Sequence, residues 1–213
     1  MLIFDFDGVL VESVDIKTRA FQELFSFAPN HIKEIVGYHT MNAGISRFEK
    51  FRHIYTNILH EELTDEKFQA LSDRFSSLVI DAVVAAPCVP GARGLLRKFS
   101  GTIPMSVISA TPEEELREII RRRRMDLFFT RISGSPAKKA DNIHALVEWE
   151  HLDPGKTIYI GDAINDLNAA LQTGVRFIGR IRPGVPNPFA GRNGVEKTVH
   201  DLNELSDYIG SLV

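Results

Sequence analysis

The sequence predicts an α/β protein: a Rossmann-like parallel sheet core with an inserted all-helical unit. Residues 2–8 form a short apolar run that indicates a buried strand ending in a turn. Residues 15–86 then carry apolar side chains at helical spacing and contain no strand-like run. After the breaker cluster Pro-Cys-Val-Pro-Gly, strand and helix patterns alternate, which is typical of a parallel sheet with helices on both faces. We therefore assign residues 1–14 and 87–213 to the core and residues 15–86 to the insertion.

Three stretches of the insertion show the period of an amphipathic helix. In the first stretch, Ile16, Ala20 and Leu24 recur every four residues. The other two are marked by Phe48, Phe51, Ile54 and Ile58, and by Phe68, Leu71, Phe75, Leu78 and Val79. Each set lies on one face of a helix, so the insertion is expected to be a helical bundle.

The elements of the core follow one another in a regular order. The predicted strands are 105–109, 127–130, 157–161 and 175–179, and the predicted helices are 112–123, 139–150, 164–173 and 202–212. The Pro- and Gly-rich segment 182–194 is predicted to be a long surface loop.

Composition excludes several classes of protein. The chain has 213 residues, a net charge of −3 and 44% hydrophobic residues, so no basic field indicates nucleic acid or an acidic membrane as a partner. The arginine run 121–124 is interpreted as the basic end of a helix. The single cysteine, Cys88, rules out an internal disulfide. Asp5 and Asp7 interrupt the apolar start of the sequence, so this stretch is expected to be neither a signal segment nor a membrane span. We expect a cytoplasmic protein without a membrane span; the oligomeric state stays open.

Polar side chains follow three predicted strands at the point where each strand ends. Asp5 and Asp7 follow the first strand, Ser109 ends the second, and Asp162 follows strand 157–161. Asp166 lies one helical turn after Asp162. Because ligands of open parallel sheets bind at the carboxyl ends of the strands, these side chains are expected to meet there. Converging carboxylates repel one another unless a cation neutralises them, and oxygen ligands favour Mg²⁺ over Zn²⁺.

Such a cluster suits phosphoryl transfer. Asp5 is the candidate nucleophile, which would form an aspartyl phosphate, and Asp7 is the candidate general acid and base. The charge of the transferring group needs fixed donors, for which Ser109, the amides of the turn and a lysine are candidates. The lysine is Lys138 or Lys139, which open the helix 139–150.

Four segments carry these residues: DFDGVLVES at 5–13, VISAT at 107–111, GSPAKK at 134–139 and IGDAIND at 160–166. Together and in this order they resemble the motifs of the haloacid dehalogenase-like hydrolases. The set spans nearly the whole chain, and the ordered combination is specific where each segment alone is not.

The resemblance implies a role for each residue. Asp5 would be the nucleophile, Asp7 the general acid and base, and Ser109 a ligand of the phosphoryl group. Asp5, the Asp7 backbone carbonyl and Asp162 would hold magnesium. Asp166 would support that site, either as a direct ligand or by bracing its neighbours. The family's helical cap follows the first motif, which matches the insertion.

The third motif contains two adjacent lysines, so the phosphate-binding lysine is ambiguous. We favour Lys139 over Lys138 because Lys139 lies four residues before Ile143 and would share its helix face.

The function implied is magnesium-dependent hydrolysis of a small phosphate monoester, a sugar phosphate or a phosphorylated hydroxy acid, through an aspartyl-phosphate intermediate. A phosphomutase of the same superfamily is one alternative, since it keeps the same aspartate pair. A non-catalytic module that binds phosphorylated metabolites is an alternative from another class. Dehalogenase and phosphonatase activities are not expected, because relatives with that chemistry lack the second aspartate, here Asp7.

Substrate choice must come from outside the shared phosphoryl site. Within the insertion, Gly44 is followed by Ser46, Arg47 and Lys50, where the apolar period is interrupted. We expect Arg47 to contact the non-reacting end of a polar ligand.

Overall fold

The computed structural model describes residues 1–211, and the predicted end of the last helix at Leu212 lies outside them. Within these residues the strands form one sheet, and every neighbouring pair is parallel. The strands are β1 (Leu2–Phe4), β2 (Met105–Pro112), β3 (Arg131–Ser135), β4 (Ile158–Gly161), β5 (Arg176–Arg180) and β6 (Val195–Val199). Their spatial order, β3-β2-β1-β4-β5-β6, is that of a Rossmann-like sheet, so the predicted fold class is confirmed.

Helices account for most of the remaining chain. They are α1 (Val14–Leu24), α2 (Ile32–Met41), α3 (Arg47–His53), α4 (Asp65–Ala85), α5 (Ala92–Phe99), α6 (Glu113–Arg122), α7 (Lys139–Trp149), α8 (Ile164–Thr173) and α9 (Leu202–Gly210). A π-helical turn, Ile54–Leu59, continues α3. Helices α1 to α4 lie in the segment between β1 and β2 that the sequence assigns to the insertion. Over residues 1–211, no helix has both the length and the apolarity needed to cross a bilayer.

The sheet separates two apolar clusters because successive side chains of a strand point to opposite faces. Leu2 and Phe4 of β1 belong to the larger cluster, whereas Ile3 belongs to the smaller one beneath α7 and α8. The larger cluster also contains side chains of the insertion, among them Phe21, Phe51 and Phe75. One continuous apolar core therefore joins the sheet to the inserted helices.

Three elements differ from the sequence predictions. The predicted strand 127–130 is wrong, because Asp126–Phe128 is a 3₁₀ turn and β3 begins only at Arg131. Helix α5 and strand β6 were not predicted. Both β3 and β6 are edge strands with a polar composition, so neither shows the apolar run that marks an interior strand.

The arginine run 121–124 is used within the fold. The Nη1 of Arg123 donates to the carbonyl oxygens of Val83, Val84 and Ala86 at 2.7, 2.7 and 2.8 Å. Val83 and Val84 lie in the last turn of α4 and Ala86 is its C-cap residue, so the guanidinium caps the negative end of the helix dipole. Two neighbouring arginines pair with surface carboxylates. The Arg123 contacts thus tie α4, the last helix of the insertion, to the end of α6 in the core.

Candidate active site

The predicted site residues meet at the carboxyl ends of β1, β2 and β4. In this strand order the connections diverge between β1 and β4, which is where open α/β sheets bind ligands. A cavity of about 110 Å³ opens there. Five of the predicted residues line it: Asp5, Asp7, Ser109, Lys139 and Asp162. The sixth, Asp166, lies fully buried beside them.

Asp5 is a buried carboxylate fixed at both oxygens. Its Oδ1 accepts the Phe6 N–H at 2.7 Å, and its Oδ2 accepts from Lys139 Nζ at 2.8 Å. Burial raises the pKa of Asp5 to about 6; the Lys139 charge opposes that rise, and the charges of Asp166 and Asp7 add to it. Asp5 is therefore a buried carboxylate that is paired with the Lys139 ammonium.

Lys139 and Lys138 have different environments although they are adjacent. Helix α7 begins at Lys139, and Lys139 and Ile143 are both buried on its inner face. Lys138 precedes the helix and is exposed. Burial lowers the pKa of Lys139, but the charges and hydrogen bonds of Asp166 and Asp5 outweigh that effect and raise it, so this lysine stays charged. The structure thus brings Lys139 into the cluster and leaves Lys138 outside it.

Asp166 is fully buried and holds the Lys139 ammonium in place. Its carboxylate accepts from Lys139 Nζ, from Tyr159 Oη at 2.7 Å and from the Ala163 N–H at 3.0 Å. Gly161 makes room for it, because a Cβ there would lie 2.3 Å from the Asp166 Cβ. Tyr159 was missed by sequence reasoning, since an aromatic residue in a buried strand looks like ordinary packing.

Asp7 is held by a separate set of donors. Its carboxylate accepts from Ser13 Oγ at 2.6 Å, from Thr111 Oγ1 at 2.9 Å and from Lys17 Nζ. Burial raises the pKa of Asp7, but the charge of Lys17 and these hydrogen bonds outweigh it, so the pKa lies below its usual value. Lys17 was not predicted. The signal for it is its place one helical turn after Ser13, which directs it back toward the first motif.

The turn after β1 is fixed by two contacts. Gly8 has a φ of +77°, and a Cβ at this position would lie 2.0 Å from Asp162 Oδ2. Any side chain there would displace the carboxylate, so the close approach requires glycine. Arg180 is fully buried, donates to the Gly8 carbonyl at 3.1 Å and pairs with Glu12 at 2.6 Å. The loop carrying Asp5 and Asp7 is therefore anchored to β5.

The donor set fits a hard divalent cation. Carboxylate oxygens of Asp5, Asp162 and Asp166 all lie within 4.8 Å of one another. Together with Asp7 they make four carboxylates, against the two lysine ammoniums that pair with them. Burial raises the pKa of Asp162 well above its usual value, and the charges of Asp5 and Asp166 raise it further. A divalent cation would relieve the repulsion that raises this pKa, and an all-oxygen set favours Mg²⁺ or Ca²⁺ over softer metals.

The inserted helices close the cavity from the other side. Asn165 Nδ2 of α8 donates to the Gly44 carbonyl at 2.7 Å. The guanidinium of Arg47 pairs with buried Glu115 of α6, with one contact of 2.9 Å, and also donates to Ser76 at 2.9 Å. Arg47 lines the cavity, but its donors already bind an internal carboxylate, so the expectation that it contacts the ligand stays a prediction.

Comparison with known proteins identifies the class. The family model described as haloacid dehalogenase-like hydrolase matches residues 2–180, and the chain belongs to this family, as its motifs predicted. A hydrolase from Pseudomonas syringae shares the fold, with a TM-score of 0.79 at 18% identity, covering 100% of this chain and 98% of that one.

Curated relatives narrow this to the phosphatase branch of the superfamily. A protein of Pseudomonas aeruginosa named phosphoglycolate phosphatase 1 is 26% identical over 186 residues, which are 83% of this chain and 67% of that protein. A phosphoglycolate phosphatase of Synechococcus elongatus is 24% identical over 180 residues, 82% of this chain and 80% of that protein.

Proposed function

We propose that this protein hydrolyses a small phosphate monoester in a magnesium-dependent reaction that passes through a phosphorylated Asp5. One observation carries the proposal: Asp5 and Asp7 line one cavity but have separate partners, Lys139 for the first and Lys17 for the second. Two carboxylates in different surroundings can take different tasks. The names of the relatives make phosphoglycolate, a phosphorylated hydroxy acid, the first ester to test.

In the first half-reaction, a carboxylate oxygen of Asp5 attacks phosphorus and the bond from phosphorus to the ester oxygen breaks. The leaving oxygen takes a proton from Asp7 and departs as an alcohol. Lys139 and Ser109 line the same cavity, and we assign them to the oxygens of the transferring group, where negative charge is spread in the transition state.

In the second half-reaction, Asp7 takes a proton from water and the water oxygen attacks the phosphorus of the aspartyl phosphate. The bond from phosphorus to Asp5 breaks, inorganic phosphate leaves, and the Asp5 carboxylate is regenerated. Asp7 is left protonated for the next leaving group.

Magnesium would be held by Asp5, Asp162 and the backbone carbonyl of Asp7, with Asp166 as the bracing residue. When bound, it would offset the repulsion between the carboxylate and the anionic ester. We assign residues 15–86 to a cap that separates this reaction from bulk solvent, supported by the contact of Gly44 with α8.

Released phosphate tests the proposal directly. With Mg²⁺, the wild-type protein should release inorganic phosphate from p-nitrophenyl phosphate and from phosphoglycolate. Asp5→Asn should lower kcat by more than about 10³-fold, because its amide is a poor nucleophile. Mass spectrometry after an acid quench should find a phosphoryl adduct on Asp5 of the wild type.

Asp15→Asn is the matched control, since Asp15 is an exposed carboxylate at the start of α1. It should leave kcat unchanged. Activity of Asp5→Asn within tenfold of wild type would refute the nucleophile assignment. Formation of a phosphate isomer in place of free phosphate would favour the mutase, and ligand binding without turnover of any ester would favour the binding module.

A further inference from the structure

The cations that line the cavity differ in their partners. They are Lys17, Arg47, Lys50 and Lys139. Three of them have a carboxylate oxygen within 4.0 Å, whereas Lys50 has none among residues 1–211. Lys50 is nevertheless only 4% exposed. An ammonium buried without an opposite charge is costly, and such groups are more frequent at functional sites than elsewhere.

The known partners of Lys50 are neutral and leave one of its donors unused. Its Nζ lies 3.1 Å from His39 Nδ1 and 3.2 Å from the His39 carbonyl oxygen, with the Phe21 ring centroid at 5.5 Å. Burial, followed by the charges of Lys50 and Lys17, lowers the pKa of His39 to about 3, so the imidazole is an uncharged acceptor. An ammonium has three N–H donors, and His39 accepts two.

Lys50 is buried close to two other cations. Burial, followed by the charges of Lys17 and Lys139, lowers the pKa of Lys50 to about 7, and the charge of Asp7 offsets only part of this shift. A bound anion would relieve both effects, because it would supply the missing charge and accept the third hydrogen bond.

The size of the cavity limits what that anion can be. Pockets for drug-sized ligands measure about 300–1,000 Å³, whereas this cavity of about 110 Å³ also has to hold the phosphoryl group. Asp5 and Lys50 line this same small cavity, so a ligand that reaches both within it carries its second anionic group a few atoms from the phosphate. A carboxylate fits this description better than a second phosphate, which is larger.

We propose that Lys50, positioned by His39, binds a carboxylate at the non-reacting end of the substrate, which is then a short phosphorylated hydroxy acid. This inference rests on the proposed function, because it takes the phosphate to sit at Asp5. Lys50 thus replaces Arg47 as the selecting residue, since Arg47 already has Glu115 as its partner.

The test compares two esters that differ at one end. Phosphoglycolate carries a carboxylate where ethylene glycol monophosphate carries an uncharged hydroxymethyl group. Lys50→Met should lower kcat/KM for phosphoglycolate by about 10- to 100-fold, the usual effect of losing a charged hydrogen bond, and change the value for the glycol ester by less than about threefold. Lys50→Arg should retain part of the preference, and Lys33→Met, which removes an exposed lysine of α2, should retain all of it.

Binding gives a second readout that needs no turnover. In an Asp5→Asn background, isothermal calorimetry with phosphoglycolate should show a dissociation constant about 10- to 100-fold weaker after Lys50→Met, with little change for the glycol ester. Thermal melting of each variant checks its folding, and Lys50→Gln replaces Lys50→Met if the latter does not fold.

The two proposals fail in different ways. If the wild type releases phosphate from both esters, but Lys50→Met affects both equally or neither, the carboxylate assignment is overturned and the phosphatase stands. If no ester is hydrolysed, the phosphatase proposal falls, and the calorimetric comparison alone decides whether Lys50 binds the carboxylate. A larger loss with ethylene glycol bisphosphate than with phosphoglycolate would assign the site to a phosphate and overturn the carboxylate.

Discussion

The two sides of the cavity are built differently. On the sheet side, Lys139 pairs with Asp5 and Asp166, Asp7 pairs with Lys17 of α1, and the loop after β1 is anchored by Arg180. On the side of the inserted helices, Arg47 pairs across to the core, while Lys50 is left with neutral partners. The sheet side holds the groups suited to a phosphoryl group, which every phosphate ester shares. The helical side holds the charge that can distinguish one ester from another.

This contrast predicts two kinds of mutational effect. A change on the sheet side should slow all esters alike, because it acts on the atoms they have in common. A change on the helical side should alter either the preference among esters or the stability of the fold.

Removal of the metal should have the largest effect. Chelation with EDTA should lower phosphate release by more than about 10³-fold for every ester, since a bound divalent cation contributes several kcal/mol of charge stabilisation. Added Mg²⁺ should restore the rate. Full activity after exhaustive chelation would show that the acidic cluster works without a metal.

The adjacent lysines provide a matched pair on the sheet side. Lys139→Met should lower kcat for p-nitrophenyl phosphate by about 10²- to 10³-fold, because it removes a buried donor from the transferring group. Lys138→Met removes the same kind of side chain from an exposed position outside the acidic cluster, so it should change kcat by less than about threefold. The opposite ranking would make Lys138, one residue earlier, the phosphate-binding lysine of the third motif.

Arg47 should have the smallest effect on activity and a clear effect on stability. Arg47→Met leaves Glu115 buried without its partner, which should lower the free energy of unfolding by about 3–5 kcal/mol in urea titrations. Adding Glu115→Gln should recover part of this loss, and Arg52→Met, an exposed change on the same helix, should cost little. If Arg47→Met instead spared stability and impaired only phosphoglycolate, Arg47 would be the selector after all.

The interior of the fold was predictable because burial leaves a strong pattern. The strand before Asp162 is a continuous apolar run, and helix α8 follows it at the predicted residues. Edge strands leave no such pattern. In β3, Arg131–Ser135 is mostly polar, whereas the more apolar segment before it forms a turn in which Leu127 is 92% exposed. Local hydrophobicity therefore pointed to the wrong residues.

At the candidate site, the motifs predicted the acidic cluster and its lysine. They did not predict which partners the basic side chains of the insertion have. Arg47, Lys50, Phe51 and Ile54 are spaced as one buried helical stripe, and all four are buried. The spacing alone therefore shows that two basic residues share a face with apolar ones, and this can be recognised in the sequence. Which of them has an internal carboxylate depends on α6, nearly seventy residues away in the chain, and local patterns carry no such information.

The central position of β1 has a consequence for how the chain matures. This strand has three residues, and Leu2 pairs with Met105 on one side and with Ile158 on the other. At ribosomal rates of about 5–20 residues per second, its second partner is synthesised roughly ten to thirty seconds later. Closing a loop of about a hundred residues also costs roughly 4 kcal/mol of chain entropy. The strand that leads into Asp5 is thus made before both of its partners and paired late, so the inserted helices are synthesised before the candidate site can assemble.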